Sequence, residues 1–294
     1  MLIVSRFAPS PTGRLHLGHA FSAVRAHDLA HTAGGHFLLR IEDIDGTRSR
    51  EAFVAGIEED LAWLGLAWDG PVLRQSERMA VYAGALDRLK AMGLIYPCFC
   101  TRAEIAASAT APHGPEGPVY PGTCRALSEA ERASRMDETH CWRLDMPRAA
   151  VAGEATARLG DQGEGLWWHD SFAGWLKADP LAAGDVVLAR KETPTSYHLA
   201  VTVDDAVQGV TDVVRGVDLF AATHIHRLLQ ALLGLPTPRY HHHPLLMGAD
   251  GKRLAKRNGA RPLAELRAEG ADPAQILASL RAGQLPIGVT TAGA

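Results

Sequence analysis

Cysteine is scarce in this chain, with four among 294 residues, Cys98, Cys100, Cys124 and Cys141. They are too few and too clustered for a disulfide scaffold. A surplus of one charge is also lacking, since 30 Lys and Arg stand against 33 Asp and Glu for a formal net charge of −3. With no global basic field, any contact with a nucleic acid must come from a local patch. No apolar run approaches the ~18 residues of a membrane span, so no membrane partner is expected. The N-terminus carries neither a basic n-region nor a long apolar h-region, which argues against a signal peptide and makes the cytoplasm the default compartment. Internal repeats are absent as well. What remains is a globular composition, 47% hydrophobic and 21% charged, long enough for one large domain or two small ones.

The most informative stretch lies near the start, Arg6-Phe7-Ala8-Pro9-Ser10-Pro11-Thr12-Gly13-Arg14-Leu15-His16-Leu17-Gly18-His19. It follows Leu2-Ile3-Val4, read as a buried strand. It precedes an Ala-rich helix from Ala20 to Thr32, with Gly34-Gly35 as its stop. Prolines and glycines between strand and helix force a shaped turn. A helix N-terminus there offers backbone N–H groups and positive dipole to a phosphate, with His16 and His19 beside it. Taken alone, the same residues also make an ordinary Pro/Gly turn with two surface histidines. A second strand, His36–Ile41, ends in Glu42-Asp43-Ile44-Asp45. These acids either meet a ligand at the carboxyl end of a doubly wound sheet or form a solvated loop.

Helical core faces follow at Phe53, Ile57, Leu61 and Leu64, then at Tyr82, Leu86 and Leu89. From Pro97 the texture changes. Cys98, Cys100 and Cys124 form a C-x-C-x23-C pattern, which is either a tetrahedral zinc site short of one ligand or three unmetallated thiols. Tyr120 and His113 are the candidates for the fourth position. Histidine is chemically easier, because a phenolate must lose a proton with a pKa near ~10. Cys141 lies outside the pattern and reads as a core thiol. Trp167, Trp168 and Trp175 read as packing residues. Further on, 185–190, Tyr197–Val203 leading into Asp204-Asp205, and 213–216 read as strands. Ile225, Leu228, Leu229 and Leu232 form another helical face, ended by Gly234 and Pro236. His241-His242-His243 reads as a strand with one or two rings turned inward. A basic loop follows, Gly251-Lys252-Arg253-Leu254-Ala255-Lys256-Arg257-Asn258, and Ile276, Leu277 and Leu280 mark a last packing helix.

Several of these strings together resemble a known family. Pro11-Thr12-Gly13 with His16-Leu17-Gly18-His19 is similar to the "HIGH" signature of class I aminoacyl-tRNA synthetases, and the eight residues Arg6 to Gly13 resemble its glutamyl/glutaminyl form. Arg40-Ile41-Glu42-Asp43-Ile44-Asp45, the Tyr197 to Asp205 segment and the Gly209 to Gly216 segment resemble the same group. The basic loop resembles the second signature, KMSKS, with Arg253 for the first Lys and Ala255 for the Ser. That Ala removes one phosphate hydrogen bond, while Lys256 keeps the ammonium. The resemblance covers roughly residues 1 to 265. Within the group, the glutamyl-Q tRNA(Asp) synthetases carry a Cys-x-Cys and a Tyr-x3-Cys as zinc ligands, and Tyr120 with Cys124 matches that spacing.

The resemblance implies an α/β fold, a Rossmann-like doubly wound parallel sheet. A catalytic domain at 1–95 and 181–265 would hold an inserted zinc-binding subdomain at 96–180, followed by a short helical segment at 266–294. It implies that Arg6, Ala8, Ser10, Glu42, Tyr197 and Arg215 bind L-glutamate. His16, Gly18, His19 and Lys256 would bind ATP with its Mg²⁺, with His16, His19 and Lys256 catalytic. One structural Zn²⁺ would sit on Cys98, Cys100, Tyr120 and Cys124. The acceptor it implies is queuosine in tRNA(Asp), because roughly thirty residues after Arg261-Pro262 leave no room for the anticodon-binding region of a full glutamyl-tRNA synthetase. A monomer is expected. A truncated enzyme charging a tRNA 3′ end and a non-catalytic paralogue binding tRNA or another partner are the alternatives.

Overall fold

The first apolar run becomes a strand slightly later than the sequence suggests: β1 spans Val4–Phe7, and α1 spans Leu17–Thr32. The strand β2, His36–Ile41, then pairs in parallel with β1, Val4 opposite His36 and Phe7 opposite Leu39. The return is tight at Gly35, where an added Cβ would come within 2.0 Å of the Ile3 carbonyl oxygen. The computed structural model describes residues 2–101, 103–105, 113–114, 117–156, 163–190, 193–248, 251, 254, 260–283 and 289–292.

In chain order there follow α2 (Glu51–Trp63), β3 (Leu73–Arg74), α3 (Met79–Ala91) and β4 (Ile95–Cys98). A small ribbon joins β5 (His113–Gly114) to β6 (Gly117–Pro118). Then come α4 (Glu129–Ser134), β7 (Cys141–Leu144), α5 (Met146–Thr156), β8 (Trp167–Asp170), β9 (Gly174–Lys177) and β10 (Val187–Arg190). The last part holds α6 (Tyr197–Val207), β11 (Asp212–Gly216), α7 (Ala222–Leu233), β12 (Arg239–His243) and β13 (Leu245–Met247). It closes with α8 (Leu263–Ala268), α9 (Pro273–Ala282) and β14 (Thr290–Ala292), which pairs with β13.

Two groups of parallel strands, β1-β2-β3 and β11-β12-β8, make the central layer, with β9 antiparallel at its edge. They meet where the Thr211 N–H donates to the Val4 carbonyl at 2.9 Å and the Val4 N–H donates to Thr211 Oγ1 at 2.9 Å. The spatial order is therefore β3-β2-β1-β11-β12-β8-β9. The chain leaves β1 toward one edge and β11 toward the other, so the gap between them is a topological switch point, where open α/β sheets bind ligands at the strands' carboxyl ends. This is the expected doubly wound α/β class. β4, β7 and β10 form a separate antiparallel sheet. β8 and β9 thus come from the stretch expected to be inserted, yet extend the central sheet, β8 parallel to β12 and β9 antiparallel to β8.

Two readings are corrected. Tyr197–Val203 is the start of helix α6, not a strand. Ser196 caps it by accepting from the Leu199 N–H, and His198 to Asp205 are all buried. Burial on every side erases the 3.6-residue period, and a fully buried helix then cannot be told from a buried strand by pattern. Trp175 is 53% exposed and meets only the edge of the His169 ring among the described aromatic rings, whereas Trp168 is fully buried beneath α7 and β12, edge-on to Phe220, His224 and Tyr240. No described helix is long and apolar enough to cross a membrane.

Candidate active site

The turn after β1 is built by two histidines. His16 is the N-cap of α1, and its Nδ1 accepts from the Gly18 N–H at 3.1 Å. His19 Nδ1 accepts in return from the His16 N–H at 3.2 Å, closing a reciprocal capping box with the rings 3.9 Å apart. Each imidazole accepts through Nδ1, so its neutral form carries the proton on Nε2. A side chain at 18 would crowd the His16 ring, whose Cε1 would lie 3.0 Å from the new Cβ. The helix begins at Leu17, three residues before the sequence reading, a start that was hidden because the N-cap His16 is not one of the usual Ser, Thr, Asp or Asn.

Behind the turn lies a buried charge network. Asp205 on α6 takes Arg6 from β1 (Nε to Oδ1, 2.9 Å) and Arg40 from β2 (Nη1 to Oδ1, 2.7 Å). Arg40 also donates to Gln208 at 3.0 Å and to Glu42 at 3.2 Å, and is fully buried. Burial works against the Arg40 charge, and Asp205, Glu42 and Asp204 more than offset it. Asp205 is likewise held below the usual carboxylate range, burial being outweighed by Arg6 and Arg40. Glu42 goes the other way. Burial pushes its carboxyl above the ordinary value, and Arg40 and Arg6 recover only part of the shift. Next along the helix, Asp204 accepts from Tyr82 at 2.6 Å, Gln75 at 2.9 Å and Arg78 at 2.8 Å, tying α6 to α3.

Arg215 at the end of β11 is different. It is 5% exposed, and among the described residues no carboxylate lies within ion-pair distance. Its acceptors are neutral: Thr223 Oγ1 at 2.7 Å, His242 Nε2 at 3.1 Å, His226 Nδ1 at 3.2 Å and the Tyr197 hydroxyl at 3.3 Å. Burial, then the Arg215 charge, keeps the His226 pKa well below the ordinary value, so this ring is neutral. Burial also raises the Tyr197 phenol, which stays protonated.

These groups face one cavity of about 430 Å³ at the switch point. Arg6, Ala8, Ser10, His16, Gly18, His19, Glu42, Tyr197 and Arg215, each singled out from the sequence, all line it. Leu254 lines it too, its N–H donating to Leu246 O at 2.8 Å. Lys256, with Arg253, Ala255, Arg257 and Asn258, lies outside the described residues. A second cavity, about 570 Å³, runs from Tyr120 and Arg143 to Tyr197 and His198, so Tyr197 borders both.

The thiols gather away from the first cavity. The sulfurs of Cys98, Cys100 and Cys124 all lie within 4.8 Å of one another, close enough to hold a metal ion together. The Tyr120 hydroxyl is 3.3 Å from Cys98 Sγ and 3.5 Å from Cys100 Sγ, and accepts from the Cys124 N–H at 2.8 Å. Three soft sulfurs and one oxygen converging on a point suit a tetrahedral Zn²⁺. Burial pushes the Cys100 thiol up to about 11, while hydrogen bonds from Cys141, Tyr120 and Arg143 hold Cys98 low. Cys141 stands opposite Cys98 across the β4–β7 pair. The side chain of His113 lies outside what the structure describes.

The sequence reading missed the partners: Asp205 as the shared counter-ion, Arg40 as its second cation, and His226, Thr223 and His242 around Arg215. The one local signal was a pair of acids ending a buried run, which demands cations nearby. Asp205→Asn should cost about 3–5 kcal/mol, the scale for stripping one partner from a buried ion pair, read as a lower urea midpoint at pH 7. Because the folded pKa is depressed, this contribution is present above the ordinary Asp value near ~4 and lost as pH falls through the depressed value. The gap between wild type and variant should therefore narrow in acid.

A family model described as "tRNA synthetases class I (E and Q), catalytic domain" matches residues 2–288. A Rhodobacter capsulatus protein called glutamyl-Q tRNA(Asp) synthetase is 52% identical over 282 residues, 93% of this chain and 98% of that one. A Symbiobacterium thermophilum protein of the same name is 45% identical over 292 residues, 95% of this chain and 85% of that one. The crystal structure of a glutamate tRNA ligase from Elizabethkingia meningosepticum, in complex with its amino acid, superposes with a TM-score of 0.71 at 29% identity. That match takes in 88% of this chain and 53% of the ligase, so the chain spans about half the length of that solved protein. With its switch-point cavity behind the His16–His19 turn, the chain belongs to the class I tRNA synthetases of the glutamate and glutamine type.

Proposed function

We propose that the chain activates L-glutamate with ATP and transfers the glutamyl group to the queuosine base in the anticodon loop of tRNA(Asp). Arg215 carries the first half of this reading. A buried guanidinium held, among the described residues, by neutral acceptors and lining the same cavity as the Glu42 carboxyl suits a ligand bearing both a carboxylate and an ammonium group. Glutamate offers two carboxylates, one to be activated and one to be held. In this reading Glu42 receives the ammonium, and Arg6, Tyr197 and Arg215 receive the carboxylate that does not react, with Ala8 and Ser10 shaping the wall. The names of the two relatives support the queuosine acceptor.

The other carboxylate attacks the α-phosphorus of ATP in line, the bond to pyrophosphate breaks, and glutamyl-adenylate forms. Mg²⁺ bound with ATP would supply screening of the phosphate charge. His16 and His19 present Nε2–H groups, and the Gly18 region opens α1 toward the phosphates. Catalysis is positioning and charge neutralisation without a covalent enzyme intermediate. We assign Lys256 to the triphosphate. Leu254, two residues earlier, borders the same cavity, which supports that assignment. The acceptor hydroxyl then attacks the glutamyl carbonyl, AMP leaves, and the hydroxyl proton passes to solvent. The second cavity, sharing Tyr197 with the first, offers the acceptor a route. Zn²⁺ on Cys98, Cys100, Tyr120 and Cys124 would be structural, tying down the loop-rich chain before Cys124.

The direct test is transfer of labelled glutamate to tRNA(Asp). Transfer should persist on tRNA stripped of its 3′ CCA and vanish on tRNA lacking queuosine; the reverse pattern would mean 3′-end charging. Since ionised Glu42 must meet the ammonium, the KM for glutamate should rise as pH falls, with a midpoint above the ordinary Glu value near ~4.3. Glu42→Gln should raise that KM about 10–100-fold, the loss of one charged hydrogen bond, and abolish this acid limb. For the thiols, Cys98→Ser should reduce bound zinc, measured by elemental analysis, to well under one per chain; a full complement would remove the metal assignment.

A further inference from the structure

Arg215 is steered from a second direction that neither the family nor the cavity lining reveals. His242 Nε2 lies 3.1 Å from Arg215 Nε, and His242 Nδ1 lies 2.8 Å from Asp170 Oδ2. A guanidinium can only donate, so His242 Nε2 must accept. The imidazole proton is then on Nδ1, where the Asp170 carboxylate receives it. The ring cannot swing away, because it stacks on Tyr240 at 6° and meets Phe220 edge-on at 4.9 Å. Asp170 is 1% exposed. Its other oxygen, Oδ1, accepts the N–H groups of Phe172 and Ala173, each at 2.9 Å, which fixes the β8–β9 turn.

We infer that Asp170 is a positioning residue for Arg215, acting through the neutral imidazole of His242. The logic is electrostatic. A carboxylate placed directly on Arg215, as Asp205 is on Arg40, would neutralise the cation that an incoming anion needs. One imidazole further away, Asp170 fixes the guanidinium's direction and leaves its charge available. Burial, then the Arg215 charge, drives the His242 pKa down to about 4, so the ring is a neutral acceptor at pH 7. Burial would raise Asp170, but the N–H donors of Ala173, His242 and Phe172 outweigh it, so it stays ionised. The inference rests on Arg215 serving the glutamate pocket.

Asp170→Asn separates this role from turn stability. Asn keeps an oxygen for the Phe172 and Ala173 N–H groups but turns an NH₂ toward His242, whose backbone N–H also meets Asp170 Oδ2 at 3.2 Å and loses that acceptor. The imidazole proton must then move to Nε2, where it meets the Arg215 Nε–H, donor against donor. The KM for glutamate should rise at least about tenfold, with the KM for ATP close to wild type and the urea midpoint lowered only by the lost His242 N–H acceptor. His242→Gln, which can turn its oxygen to Arg215 and its NH₂ to Asp170, should stay within about threefold of wild type, whereas His242→Leu should behave like Asp170→Asn. Nitrogen-15 NMR of labelled histidines should find His242 protonated on Nδ1 in wild type and on Nε2 in Asp170→Asn. Parallel losses in glutamate KM, ATP KM and stability would overturn the inference, as would an Nε2-protonated His242 in wild type. If wild type showed no glutamate-dependent exchange of pyrophosphate into ATP, the glutamate reading would fall, and the tautomer would still decide the relay.

Discussion

A guanidinium taken out of water without a carboxylate beside it is costly, and proteins tolerate the cost where a ligand supplies the missing charge. Arg215 stands in that state at the point where the sheet changes direction. Its neighbours are two histidines, a threonine and a tyrosine, each able to accept a hydrogen bond and none able to cancel the charge. On the neighbouring strand β1, Arg6 shares Asp205 with Arg40 of β2 and also faces the cavity. The cavity is thus lined by one cation already paired, Arg6, and by one, Arg215, that has no carboxylate partner among the described residues.

Glu42 is poised in the opposite sense. It sits close to two arginines, yet burial still leaves its carboxyl harder to ionise than in water. An ammonium group arriving beside it would favour the charged form and recover part of that desolvation. Arg215 and Glu42 are therefore complementary: each is held short of full compensation, and a zwitterionic ligand with an extra carboxylate completes both. The stability given up here is offset by fully paired groups behind the site, the Asp204 and Asp205 clusters that lock α6 to α3 and to the two first strands.

Much of this was legible in the residues. The β2 boundaries and the α7 face followed from period and punctuation, whereas alternation pointed to one or two inward rings in β12 without singling out His242 and His243, the two that are buried. Nine of the residues singled out by resemblance converge on one cavity wall. What pattern could not give was pairing over distance. Asp205 meets Arg6 across 199 residues and Arg40 across 165, and Asp170 meets His242 across 72. The α6 segment was misread because its burial on all sides removes the helical period. Trp175 was misread because it lies on the outward face of β9, the edge strand of the sheet, whereas Trp168 on β8 turns into the core.

The central claim is that Arg215 holds a carboxylate that does not react. It is tested most directly by calorimetric titration of the protein with L-glutamate and with L-glutamine, which differ only in that the side-chain carboxylate becomes a neutral amide. The account predicts that glutamate binds at least about a hundredfold more tightly, as expected when a buried cation loses its only anionic partner. Equal affinity for the two amino acids would contradict it.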